Sequence, residues 1–141
     1  MSGSESAGEQ GPSEFERAYR ALALWQDERM QPQLDAQLAW FRERVEALLP
    51  YPVDAFRAAM KAETMSVALW FQENERTFLR EAVSYLGDDV LQELKVLGWD
   101  QQFVQVILGA LDEAREELRD RMHEIREAAD AARTGRGPAS A

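Results

Sequence analysis

The stretch from Asp100 to Arg133 contains no proline and a single glycine. Its apolar residues recur at Phe103, Ile107, Leu111, Ala114, Leu118, Met122, Ile125, Ala129 and Ala132. Steps of three and four keep one face of an α-helix apolar from end to end. A stripe of this length is a surface for other helices, so it constrains the fold of the whole chain more than any motif does.

The rest of the sequence supplies helices of similar length. Ser13 is a good N-cap, and Glu16, three residues on, can complete a capping box. The helix predicted from there runs through Phe15, Tyr19, Leu22 and Trp25 to about Met30. Gln31 and Pro32 interrupt it, since proline lacks the backbone donor and disfavours helix at the preceding residue. Periodicity resumes at Leu34, Leu38, Phe41, Val45 and Leu48. The apolar face shifts by only about 60° between Tyr19 and Leu34, so the two segments form either one kinked helix or a hairpin.

Pro50, Tyr51 and Pro52 make a clear break. Asp54 can cap a third helix whose stripe holds Phe56, Met60, Val67, Phe71, Phe78, Ala82 and Leu86, with Gly87 as its terminator. A short helix is predicted from Asp89 to Leu97, closed by Gly98, and Asp100 can cap the last one. Residues 14–49, 55–86 and 100–133 then make three helices, each about 50 Å long at 1.5 Å per residue.

The expected fold is all-α: an elongated antiparallel bundle of three long helices, the first kinked or broken at Pro32, plus the short helix. A hairpin at Pro32 would instead give an uneven four-helix bundle. The domain spans 13–133, flanked by polar tails at 1–12 and 134–141 whose composition cannot offset the entropy of ordering.

Composition narrows the function classes. With 26 acidic and 16 basic side chains and a net charge of −10, the chain lacks the basic stripe that phosphate neutralisation requires, so nucleic acid is not an expected partner. No cysteine is present, which excludes disulfides, thiolate metal sites and cysteine nucleophiles and suits a reducing cytoplasm. No window is apolar enough for a membrane span. Of the 16 basic residues only Lys61 and Lys95 are lysine. Arginine forks suit interhelical ion pairs, although genomic base composition explains the bias as readily.

Chemistry-bearing groups are sparse. His123 is the only histidine; Asp120 and Glu124 lie near it, but a di-iron bundle needs paired Glu-x-x-His units that this chain lacks. Glu63 and Glu73 are ten residues apart on one helix, nearly 15 Å, too far for a paired-carboxylate site. Glu63 and Asn74 lie near the apolar face of the third helix and are candidates for buried polar groups; a modest rotation would place them at its boundary. Four tryptophans, Trp25, Trp40, Trp70 and Trp99, imply wide apolar faces suited to core packing or to an interface.

The leading expectation is a non-enzymatic interaction, adaptor or regulatory protein that self-associates or docks on another protein. Its candidate surface is Trp40, Trp70, Leu111, Leu118, Met122 and Ile125, with a near-heptad seam from Leu111 to Ala132 resembling a coiled coil. A binder of a hydrophobic body, such as a storage granule, lipid surface or apolar ligand, is the first alternative. A small helical enzyme or metal protein using Asp120, His123 and Glu63 is the second. No cofactor or metal is expected.

Overall fold

The computed structural model describes residues 13–134, and within them the chain is all-α with no strand. Helix α1 spans Glu14–Trp25, a π-helical turn follows over Gln26–Met30, and α2 spans Gln31–Ala47. Helix α3 covers Val53–Leu97 and α4 covers Asp100–Thr134. The segments expected to be tails lie outside the described residues, apart from Thr134, which closes α4.

Pro32 does not reverse the chain. Trp25, Gln26 and Gln31 all hold right-handed helical dihedrals, and the Gln31 amide donates five residues back to the Gln26 carbonyl. The π turn has two causes. Proline cannot donate to the carbonyl four residues before it, so a wider turn costs little there. The buried positions also demand it, because they run Leu22, Trp25, Met30, Leu34, Leu38, Phe41, Val45, and the step of five from Trp25 to Met30 falls on one face only where an extra residue enters the turn. This absorbs the shift read from the sequence and leaves one kinked helix in place of a hairpin, so the four-helix alternative falls away.

The helix ends follow local chemistry. Ser13 Oγ accepts from the Glu16 amide at 3.2 Å while Glu16 Oε1 accepts from the Ser13 amide at 2.8 Å, the reciprocal box expected. Gly87, at φ 81° and ψ 157°, interrupts α3 in a conformation open to glycine and strained for other residues. Gly98, at φ 74°, ends α3: its amide reaches the Lys95 carbonyl at 3.0 Å and the Trp99 amide reaches Leu94 at 2.8 Å, a Schellman closure. Asp54 and Asp100 lie inside the first turns of α3 and α4, two residues and one residue past the cap, respectively, and not at the cap position expected. The first acceptors are the Pro52 and Trp99 carbonyls, and both carboxylates still face the positive end of the helix dipole.

The described residues group into two compact units, residues 13–31 with 76–110 and residues 32–75 with 111–134. In the first, Phe15 stacks on Trp99 at 4.3 Å, Tyr19 meets Phe103 edge-on at 5.4 Å, and Trp25 meets Phe78 at 5.9 Å. α1 therefore packs against the start of α4 through Phe15 and Tyr19 and against α3 through Trp25. Trp25 Nε1 donates to Glu81 Oε1 at 3.2 Å, and Arg29 holds the other carboxylate oxygen at 3.4 Å. The Tyr85 hydroxyl donates to Glu28 at 3.2 Å; desolvation first, then this bond, raises the phenol above its ordinary 10.0. Below pH 10 the group is neutral folded or unfolded. As pH rises further the unfolded phenol ionises first, so stability falls until the folded phenol also ionises.

In the second unit, Leu34, Leu38, Phe41 and Val45 of α2, Phe56, Val67 and Phe71 of α3, and Leu111, Ala114, Leu118 and Met122 of α4 form the core. Ion pairs give the directions. The five-residue connection between Ala47 and Val53 together with the Arg44–Glu63 pair at 3.0 Å makes α2 and α3 antiparallel; Arg115 meets Glu75 at 3.3 Å and Arg57 meets Asp130 at 3.9 Å, so α3 and α4 are antiparallel too. Arg133 closes the end of the unit, donating to the Leu49 carbonyl at 2.8 Å and to that of Tyr51, with its guanidinium 4.6 Å from the Phe56 ring centroid. These acceptors sit in the Pro50–Pro52 break, where helical partners are missing.

If the five-residue step dictates the π turn, deleting the exposed Asp27 converts it to an ordinary α-helical step and is tolerated. Deleting the equally exposed Glu43 rotates the rest of α2 by about 100° and is not. Urea unfolding followed by circular dichroism should show a much larger loss for the Glu43 deletion; equal losses would sink this account of the turn.

Candidate interaction surface

The structure divides the six residues expected to form a contact surface. Leu111, Leu118 and Met122 are buried, covered by α2 and α3 of their own chain. They are core, and the expectation that they face a partner is corrected. The physical reason is that α2 and α3 both lie alongside α4 and close over its stripe, leaving the distal heptad pattern without a free side. Ile125 is half-buried. It lines a groove of about 340 Å³ between α2 and α4 together with Val45, Leu49 and Ala129, where α4 beyond Ile125 offers only the small side chains of Ala128, Ala129 and Ala132. Trp40 is 39% exposed and Trp70 half-buried.

Neither candidate polar residue is buried. Glu63 lies at the edge of the core, its side chain 14% exposed, and accepts from Arg44 Nε at 3.1 Å and a terminal nitrogen at 3.0 Å. Asn74 donates to the Trp70 carbonyl one turn back at 2.8 Å. Both take the boundary placement, where a two-pronged arginine satisfies one and a backbone carbonyl of the same helix satisfies the other. His123 lies on the surface, with Nδ1 3.4 Å from Arg126 and Nε2 3.9 Å from Glu127. Among the described residues no group of three or more metal-ligating side chains converges, and no helix is long and apolar enough to cross a membrane.

A second seam emerges on the far side of α3. Ala55, Ala58, Ala62, Met65, Leu69 and Gln72 recur in steps of three and four, and all six are exposed. Met65 is 56% exposed and Leu69 50%. This seam lies opposite the buried Phe56, Val67 and Phe71. Three charged residues occur between 55 and 72, and two turn aside: Arg57 toward Asp130 and Glu63 toward Arg44. Only Lys61 stays on its flank. In a chain that is 30% charged, about 27 Å of helix therefore presents an outer face whose one remaining charge is Lys61.

Trp40 extends this face. It stands one turn before Arg44 on α2, with the Arg44 guanidinium 5.9 Å from its ring centroid. Because Arg44 meets Glu63 and the helices are antiparallel, Trp40 lies level with residues 66–70. Trp70 borders the seam on that side, its ring 6.3 Å from Phe71. The sequence reading missed this seam because alanine counts for little in a search for apolar stripes. Counting charges around each helix face would have found it.

Burial makes opposite predictions for the two classes of residue. Leu118→Glu places an unpaired carboxylate in the core and should remove at least about 3 kcal/mol, enough to unfold much of the protein. Met65→Glu should change stability by no more than about 0.5 kcal/mol. Thermal and urea melts check both, and a folded Leu118→Glu variant of normal stability would contradict the packing described.

The chain matches no family model, no curated protein and no solved structure.

Proposed function

We propose that this chain is a non-enzymatic interaction protein that acts in a reducing, cytoplasm-like compartment through the outer face of α3 and the flanking Trp40 and Trp70. The observation that carries this reading is the uncharged seam from Ala55 to Gln72. The α4 stripe does not carry it, since its own chain covers that. Exposed methionine, leucine and tryptophan on one face resemble the centre of a protein interface, where charge is depleted and aromatic and methionine side chains are enriched. A solvated helix face of an acidic protein has no physical need to stay free of charge over five turns, and solubility favours the opposite. Arg57 and Glu63, paired elsewhere, leave Lys61 as the one charge beside the seam.

The test pairs full-length protein with the double variant Met65→Glu/Leu69→Glu and, as a control, Leu108→Glu, which charges an exposed leucine elsewhere. Wild type and control should retain a specific protein, or further copies of the chain, at tens of micromolar, and the double variant should lose it at unchanged thermal stability. Loss of retention in the control as well, or none in the double variant, would reject the surface. Retention on neutral lipid vesicles in place of protein would transfer the same face to the hydrophobic-body reading.

A further inference from the structure

We infer that the occupant of the α3 face is a second copy of this chain, packed antiparallel about a two-fold axis near Val67. This rests on the reading of that face as a contact surface and goes on to name what covers it. The spacing comes first: steps of three and four repeat every 3.5 residues on average, the period of a left-handed two-helix seam. A second α3 carries the matching period by construction, and a two-fold contact uses the same patch on both copies.

Side-chain size and charge select the register. With the axis near Val67, Met65 of each copy stacks on the second copy's Leu69, so the four largest seam residues meet at the centre, where interface energy concentrates. Ala62 then faces Gln72 in the next layer out. On one flank, Ala68 lies beside its own symmetry mate, and Lys61 of each copy comes level with the second copy's Glu75. That is an opposite-charge contact made twice.

Lys61 has no acidic partner in its own chain among the described residues. Glu75 is one-third exposed and held by Arg115 at 3.3 Å, so it is already turned outward. On the other flank, Trp40 lies level with the axis and adds aromatic area from α2. The competing arrangements are worse: sliding the antiparallel pair by one heptad sets Lys61 beside Ala68 and Asp54 beside Glu75, while parallel pairing sets Lys61 beside Ser66, so neither joins Lys61 to an acidic residue.

The area sets the strength. The paired segment from 61 to 75 is about 22 Å long, well short of the roughly 800 Å² per partner of a standard stable interface even with Trp40 added. The dimer is therefore a micromolar one, and experiments belong at about 100 µM.

The absence of native cysteine permits single nitroxide labels on full-length protein, at Ala68→Cys and separately at Ala55→Cys, read by pulsed electron spin resonance alongside sedimentation equilibrium. The expected result is a dimer with the 68 labels within about 20 Å of each other. The 55 labels should be about 36 Å apart along the axis, 24 residues at 1.5 Å each. Short distances at both positions would mean a parallel pair and overturn the register, as would a long distance at 68.

Lys61→Glu should weaken association roughly three- to tenfold, and Lys61→Glu/Glu75→Lys should restore it; no restoration counts against the pairing. A monomer at 100 µM overturns the second copy as occupant. If that monomer still retains another protein through Met65 and Leu69, the contact-surface reading survives without it. If neither mass nor retention responds to Met65→Glu/Leu69→Glu, both fall.

Discussion

The constraint on which the second unit depends is that the apolar stripe of α4 cannot be left in water. Leu111, Ala114, Leu118 and Met122 sit on one face of an unbroken helix, and exposing them would cost on the order of 1.5–3 kcal/mol for each large side chain. Covering them takes two helices, because the stripe is wider than a single contact line. α2 and α3 supply the cover, and their own inward faces, Leu38, Phe41 and Val45 on one and Phe56, Val67 and Phe71 on the other, are buried by the same act. Once these three faces have met, the charged residues around them have little freedom in where they sit.

The arginines show this. Arg44, Arg57, Arg115 and Arg126 each reach from one helix to another, and Arg133 reaches into the Pro50–Pro52 turn. Most of these pairs are well exposed, so each contributes at most about 1 kcal/mol and the fold does not rest on them. Their effect is on register: a forked donor that meets Glu63 through two nitrogens tolerates little sliding of α2 along α3. The arginine bias, which base composition could have explained, therefore has a structural use whatever its origin.

Much of the fold was legible because it is written in local chemistry. The Ser13 box, the Pro50–Pro52 break and the glycines at 87 and 98 each act within a few residues, and each is found where the pattern puts it. Pro32 was ambiguous because proline permits both a kink and a reversal. The deciding signal was the five-residue step from Trp25 to Met30, visible in the sequence but readable only once both flanking faces are known to be buried on the same side.

Of the residues the sequence put forward for a contact surface, Trp40 and Trp70 remain at least partly exposed, while Leu111, Leu118 and Met122 are buried in their own chain. Periodicity states that a stripe must be covered and cannot state by what. The placement of Glu63 and Asn74 turned on helix rotation, which is fixed by packing with neighbours and not by any residue nearby in sequence.

The composition of the outer α3 seam bears on how such a face can coexist with a highly charged, acidic chain. Leucine at Ala55, Ala58 and Ala62 would make it a stronger contact, and also a surface any exposed apolar segment could adhere to, since hydrophobic attraction has no direction. Alanine keeps the charge-free character while holding the exposed apolar area small, so only a close-fitting, correctly registered helix gains enough contact to stay. Met65 and Leu69 concentrate the attraction in two turns, and the exposed charges Lys61 and Glu73 stand one turn to either side of that pair, where they penalise wrong registers. A face built this way trades strength for selectivity, which suits an association that must form and dissolve with concentration.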